Sequence, residues 1–271
     1  MRVFGKMLFV DQISVSLANT TILDRVEFRA LPGEITAVIG PNGSGKSTLM
    51  RAMSGDIPYE GNIELNGHNI DTLQPWELAT IRAVLPQKSV LAFSFTVSEV
   101  VNIGLCNGIG AESNKIIFDA LSCVGLLGFS QRQYSELSGG EQQRVQLARV
   151  LAQVWKPQES VKPRWIFLDE PVSSLDIAHQ IEVMNIAKDY AHSGGGVIAI
   201  MHDLNLTSMY ADNIAILYQG KKLCQGKPQD VMTDEWLSRA YECDLRVNTS
   251  PHPPSMYILP HLAVSRSKSD Q

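Results

Sequence analysis

The string Gly40-Pro41-Asn42-Gly43-Ser44-Gly45-Lys46-Ser47 constrains this chain more than any other feature. It fits G-x-x-x-x-G-K-[ST] without a gap, and composition alone yields such a string in roughly one chain of this length in a hundred. Its glycines let backbone N–H groups turn inward as an anion-binding nest. Lys46 supplies a point charge for β- and γ-phosphates, and Ser47 a hydroxyl ligand for Mg²⁺. The apolar run Ile35–Ile39 in front of the string reads as a strand buried on both faces, as in a parallel sheet. Thr48-Leu49-Met50-Arg51-Ala52-Met53 behind it reads as a helix whose positive dipole end faces the same phosphates.

Two further apolar runs end in residues that handle charge. Trp165-Ile166-Phe167-Leu168 runs into Asp169-Glu170, and Val197-Ile198-Ala199-Ile200-Met201 runs into His202. After a phosphate loop, Asp169 is placed to hold the metal through water, and Glu170 is available as general base for an attacking water. Positioned acid–base groups of this kind are worth ~10²–10⁴ in rate. Ligands of open α/β sheets bind at the carboxyl ends of the strands. Three parallel neighbouring strands ending at Gly40, Asp169 and His202 would therefore converge on one nucleotide, with His202 touching the γ-phosphate and orienting the water.

Leu137-Ser138-Gly139-Gly140-Glu141-Gln142 is the decisive string. Ser138 and Glu141 form the capping-box pattern of a helix start, and Gly139 and Gly140 expose N–H groups toward an anion. A cap accounts for the Ser and the Glu alone. Composition produces all six letters on the order of once in tens of thousands of chains.

The remainder of the chain gives these strings a setting. Residues 8–28 read as two strands around Ala18-Asn19-Thr20, and Asn66-Gly67 marks a hairpin. From about Lys88 to Pro157 helical signals dominate: Thr96-Val97-Ser98-Glu99 matches a capping box, and Leu147, Val150, Leu151 and Val154 share one helical face. Lys156–Lys162 reads as a loop, Gln219-Gly220 and Gln225-Gly226 punctuate a strand pair, and 228–241 read as helix with Trp236, Leu237, Ala240 and Tyr241 on one side. The expected organisation of the 271 residues is one α/β domain over 1–247, a helical lobe inserted at about 88–157, and an irregular tail over 248–271. No apolar run approaches the ~20 residues of a membrane span, and Asp11 interrupts the short apolar start, which argues against a secretory signal. A net charge of −5 argues mildly against a nucleic-acid partner. Cys106, Cys123, Cys224 and Cys243 stand far apart without metal-ligand spacing, which reads as reduced thiols in a cytoplasmic setting.

Together these residues resemble the signature of ATP-binding cassette (ABC) ATPases, in family order and over nearly the whole chain, from about residue 8 to 245. The resemblance implies a P-loop NTPase fold: a RecA-like core, an antiparallel β subdomain and an inserted helical subdomain. Gly40–Ser47 and Thr48 look like the nucleotide-binding Walker A segment. Asp169 and Glu170 look like Walker B and its catalytic glutamate, Gln87 the Q-loop, Ser174-Leu175-Asp176 the D-loop, and His202 the switch histidine. The implied catalytic set is Glu170, His202 and Gln87, and the implied Mg²⁺ set is Ser47, Gln87 and Asp169. A head-to-tail homodimer follows from the resemblance, each ATP lying between one subunit's Walker A and the other's Ser138-Gly139-Gly140. Gln87 would join the Mg²⁺ site to the helical lobe, whose groove receives a permease coupling helix. The family's adenine-stacking aromatic has no counterpart near Leu17.

Within the family, Val84-Leu85-Pro86-Gln87, Phe93–Val101, Gln143–Gln153, Leu175–Gln180 and His202–Leu206 are similar to importer ATPases of the iron-siderophore, vitamin B12 and heme group, most closely those that serve hemin. That likeness implies ATP-driven hemin import through a separate two-copy transmembrane permease, with a periplasmic binding protein as indirect partner, no nucleic acid, and a peripheral place on the cytoplasmic face of the bacterial inner membrane. Ferric siderophore or vitamin B12 is the alternative cargo. A DNA-acting ABC ATPase is the alternative of a different class, but such proteins carry long coiled-coil or zinc-module insertions. The interval from Lys46 to Asp169 holds neither sustained heptads nor paired cysteines.

Overall fold

The computed structural model describes residues 3–87, 93–105, 111–159, 162–250, 252, 254–256 and 258–260. Lys88, the expected start of the helical stretch, Cys106 and the end of the tail from 261 lie outside the described residues.

After a short 3-10 turn at Val3–Lys6 comes a long antiparallel hairpin, β1 (Leu8–Leu17) and β2 (Thr20–Ala30), turned at Ala18 and Asn19 with positive φ values of 47° and 65°. The apolar run becomes β3 (Ile35–Ile39), and the phosphate-loop string leads into α1 (Lys46–Met53). β4 (Glu60–Leu65) and β5 (His68–Asn69) form the hairpin that Asn66-Gly67 announces. A short helix α2 (Pro75–Ile81), which the sequence reading did not anticipate, then feeds β6 (Arg82–Leu85). The helical stretch follows as α3 (Val97–Ile103), α4 (Ala111–Cys123) and α5 (Gly139–Gln153), with α3 and α5 opened by the capping boxes at Thr96/Glu99 and Ser138/Glu141.

Lys156–Lys162 is not only a loop. Gln158–Glu159 (β7) pairs with Lys162–Pro163 (β8) in a two-residue ladder, held on one side by Arg164 bonding Glu159. After it come β9 (Trp165–Asp169), α6 (Ile177–His192), β10 (Gly196–Ile200), α7 (Leu204–Tyr210) and the hairpin β11 (Asn213–Tyr218) with β12 (Lys221–Gly226). The expected helix over 228–241 is two, α8 (Pro228–Val231) and α9 (Asp234–Tyr241). Thr233 interrupts it, because its hydroxyl accepts the Trp236 N–H and starts a new helix. Leu237 and Ala240 are buried on one side of α9, with Trp236 and Tyr241 packed at its edge.

Six strands form the central sheet in the order β12-β11-β3-β10-β9-β6, and β11, β3, β10, β9 and β6 run parallel. β2-β1-β4-β5 form a separate antiparallel sheet. Alternation along the parallel strands divides the interior in two. Ile35, Ala37, Ile39, Ile166, Leu168, Val197 and Ala199 face a core shared with α3–α7 and with α8 and α9. Val38, Trp165, Phe167, Ile198 and Ile200 face a second core shared with α1 and the antiparallel sheet. Both faces are covered, which is why these strands read as continuous apolar runs.

A buried polar contact joins the two sheets, besides the exposed pairs of Arg29 with Gln225 and Asp24 with Lys221 at the β2–β12 edge. Trp165 is fully buried, and its indole N–H donates to Asn66 Oδ1 at 3.0 Å, while Asn66 Nδ2 donates to the Pro163 carbonyl at 2.8 Å. Asn66 also holds the turn at φ 54°. An Asn66→Ala variant orphans two buried groups and strains the turn, at a cost of about 2–4 kcal/mol. Thermal unfolding should show a Tm several degrees lower with ATP affinity unchanged; a Tm within one degree of the native chain contradicts this role.

Candidate active site

The site begins where β3 ends. Gly40 leaves the strand at φ 145°, and a Cβ there would lie 2.1 Å from the Leu217 carbonyl on β11, so no other residue fits. Gly43 and Gly45 follow at φ 77° and 100°, so the backbone winds around a hollow. Gly45 occupies the N-cap of α1 with no side-chain cap, and the first turn of the helix carries no acid. Its first N–H groups and its dipole are thus left to an anion. Asn42 and Gly43 are exposed, whereas the Ser44 hydroxyl is buried with no hydrogen-bond partner among the described residues.

Lys46 is buried and folds back over the loop, its Nζ donating to the carbonyls of Gly40 and Pro41 at 2.9 Å each. Burial pulls its pKa below the ordinary lysine value, opposed by the nearby carboxylates of Glu170 and Asp169. Ser47 points the other way and donates to Asp169 Oδ1 across 3.4 Å. The Asp169 carboxyl is held above the usual range, first by burial and then by the charge of Glu170 beside it; the bond from Ser47 and the charge of Lys46 only partly offset this.

The register of the sheet gathers the rest. Ile200 pairs with Asp169, Leu85 with Leu168, and Ile200 with Val38, so four parallel strands end at one edge. Glu170 leaves β9 with φ 53°, in the left-handed region that non-glycine residues rarely adopt. Its carboxylate is held from two sides: His202 Nε2 lies 2.5 Å from Oε1, and Gln87 Nε2 donates to Oε2 at 2.7 Å. Gln87 thus meets Glu170 rather than Ser47 or Asp169, and His202 reaches the site through Glu170. The arrangement pairs a phosphate cradle and cation with a second carboxylate whose outer partners can orient a water.

Ser138, Gly139 and Gly140 lie elsewhere. Ser138 caps α5, its hydroxyl accepting the Glu141 N–H at 3.3 Å while Glu141 accepts the Ser138 N–H at 2.8 Å. Ser138 and Gly139 are exposed, and a Cβ on Gly140 would meet the Leu175 side chain at 3.2 Å. Among the described residues no hydrogen bond or ion pair joins this turn to Gly40–Ser47. Ser174 bonds Gln143 on α5, and Asp176 caps α6 by accepting the His179 N–H at 3.0 Å, which lowers its pKa. Thr48 continues α1 and is half-buried.

Sequence reasoning missed the wall behind the loop. Pro41–Ser44 border a pocket of about 230 Å³ whose far side is Tyr218, Gln219, Tyr241 and Glu242. There the Tyr241 hydroxyl meets the backbone N–H of Gly40. No local pattern ties Tyr241 to a loop so much earlier in the chain. The turn near Leu17 carries no aromatic side chain, as the sequence reads, and Leu17 itself is exposed. Cys123 and Cys243 are exposed free thiols and Cys224 is a half-buried one, its pKa pushed by burial up to about 11.

The sequence matches the ABC transporter family over residues 23–173. The hemin import ATP-binding protein HmuV of Jannaschia sp. (strain CCS1) is 58% identical over 257 residues, 95% of this chain and 95% of the relative. The protein of the same name from Roseobacter denitrificans (strain ATCC 33942 / OCh 114) is 57% identical over 251 residues, 93% of this chain and 96% of its own. Among solved structures, cbiO1 from Clostridium perfringens, part of the ABC transporter complex cbiONQ, superimposes with a TM-score of 0.71 at 26% identity, covering 86% of this chain and 92% of that one. MJ1267, an ATP-binding cassette of an ABC transporter in its ADP conformation, matches in fold with a TM-score of 0.73 at 24% identity over 88% of this chain and 98% of that one. The chain belongs to the ABC transporter family, as one of its ATP-hydrolysing subunits.

Proposed function

We propose that this chain powers a bacterial importer of hemin, hydrolysing ATP at the edge where Gly40–Ser47, Asp169, Glu170, Gln87 and His202 converge. The observation that carries the hydrolytic reading is the Glu170 carboxylate, fixed between Gln87 and His202 beside the Ser47–Asp169 pair. Hemin as cargo is supported by the relatives named hemin import ATP-binding protein, which match this chain nearly end to end.

The residues present fit Mg²⁺. A hydroxyl faces a carboxylate that burial and Glu170 leave uncompensated, and a cation between them relieves that charge. Ser47 and Asp169 would hold it, with Gln87 within reach of the same carboxylate cluster. Bound there, the ion would neutralise charge on the β- and γ-phosphates. The chain does the remainder. The Gly40–Ser47 N–H groups and Lys46 bind the phosphates. Glu170 takes the proton of a water attacking the γ-phosphorus as ADP leaves, while His202 and Gln87 hold that carboxylate in place.

The working unit is a head-to-tail homodimer. Its support is that Ser138 and Gly139 lie exposed, with no hydrogen bond or ion pair among the described residues to their own chain's loop, and so can close over the ATP of the partner, with Ser174 beside Gly140 and Asp176 following in the same loop. A two-copy permease binds the helical lobe at about 88–157, where Phe93, Ile103, Phe118 and Leu127 are exposed. A periplasmic binding protein acts through that permease. No helix among the described residues is long and apolar enough to cross a membrane. The permease partnership would hold the chain peripherally on the cytoplasmic face of the inner membrane. The ATPase domain extends over 1–247, and 248–271 form a tail outside it.

Glu170→Gln should cut ATP turnover at least about 10²-fold while ATP still binds, and should trap an ATP-bound dimer visible by size exclusion. Normal turnover in that variant contradicts the mechanism. Asp169→Asn should also abolish turnover, yet raise the Tm of the nucleotide-free chain, because it removes a buried charge set against Glu170. A lowered Tm in that variant contradicts the electrostatic account.

A further inference from the structure

Glu170 needs more than its carboxylate partners to stand where it does. Its backbone is in the left-handed region, and the following residue, Pro171, has no N–H with which to steady the turn. The carbonyls of Glu170 and Pro171 therefore point past the end of β9 with no ladder partner there. Ser173 bonds the Glu170 carbonyl locally, through its N–H at 3.4 Å and its hydroxyl at 3.3 Å, but one side chain from outside the turn meets both carbonyls. Gln143 Nε2 donates to the Glu170 carbonyl at 3.3 Å and to the Pro171 carbonyl at 2.7 Å, and Gln143 Oε1 accepts the Ser174 hydroxyl. The donor and acceptor ends of the amide are both engaged, so a carboxylate, an amine or an alkyl group of similar length cannot replace it.

The platform under Gln143 is itself fixed. It lies on α5 five residues after Ser138, whose capping box pins the start of the helix. Gln142 beside it donates to the carbonyls of Tyr134 and Leu137, and Gly140 packs so closely on Leu175 that a Cβ would crowd it. The helix opened by Ser138-Gly139-Gly140 is thus bound, through one amide, to the backbone that aims the base.

We propose that Gln143 is a positioning residue for hydrolysis. It holds the Glu170–Pro171 backbone in the conformation that directs the Glu170 carboxylate between Gln87 and His202, and ties that conformation to α5 and to Ser174. The proposal rests on the reading of Glu170 as general base. Positioning of this kind acts on the chemical step and not on ATP binding, since Gln143 spends its hydrogen bonds on Glu170, Pro171 and Ser174 and none on Lys46 or the phosphate loop. Misplacing a reacting group by about 1 Å costs on the order of 10²-fold.

The test uses the purified full chain carrying Gln143→Leu, Gln143→Glu or Glu170→Gln. The Gln143→Leu variant loses both arms, whereas Gln143→Glu keeps an acceptor for Ser174 and loses the donor to the two carbonyls. Both Gln143 variants should lower kcat at least about tenfold while KM for ATP stays within about threefold and the affinity for a non-hydrolysable ATP analogue is retained. A kcat within threefold of native in both, or a fall in kcat matched by a rise in KM, overturns the proposal. If Gln143→Leu does not fold, Gln143→Glu decides by the same criteria. Glu170→Gln separates the two levels: if it turns over normally, the base reading fails and the proposal with it, whereas an inactive Glu170→Gln beside fully active Gln143 variants removes the proposal alone.

Discussion

Parallel pairing of β10 between β3 and β9, with β6 on the far side of β9, is the constraint on which the rest depends. The four strands are far apart in sequence, and each is useful only because its carboxyl end is level with its neighbours'. A slip of one residue in β9 would turn Phe167 and Trp165 into the wrong core and send Asp169 to the opposite face. Burial on both faces makes such a slip costly, so the same apolar packing that stabilises the sheet also sets the distance between Ser47, Asp169, Glu170, Gln87 and His202. The antiparallel sheet is keyed to this frame through Asn66 and Trp165, and the loop at Gly40 through its close approach to β11.

Electrostatically, the resulting edge is prepared for a polyanion. Lys46 is held in the loop by carbonyls rather than by a carboxylate, so its charge remains for phosphate. Asp169 and Glu170 stand next to each other with one buried and the other strained, an arrangement that costs stability in the chain alone. A cost of this kind is the usual relation between a reactive site and the fold that carries it.

Much of this was legible in the residues. The phosphate loop, the acid pair, the histidine after its strand and the Ser138–Gln142 string each combine a local backbone requirement with a chemical one, and the structure places them on strand ends and helix starts as expected. What was not legible depends on contacts between distant segments. The two-residue ladder of β7 and β8 is too short to leave a periodic signal, and α2 has only one buried side chain to mark it. Thr233 splits the last helix by a hydroxyl cap that competes with an otherwise unbroken helical face. Tyr241 behind the loop and Gln143 under Glu170 are ordinary residues on helices, and only the folded chain shows where their polar ends arrive.

One nucleotide site serves one cargo in this mechanism, and that junction is open to direct measurement. The chain assembled with its permease in proteoliposomes, with a heme-loaded binding protein added, should accumulate hemin when ATP is supplied on the side of this chain and not when ADP replaces it. Ferric siderophore and vitamin B12 offered with their own binding proteins should not accumulate. Hemin accumulation that is equal with ADP, or that is absent while another of these cargoes enters on ATP, would contradict the account.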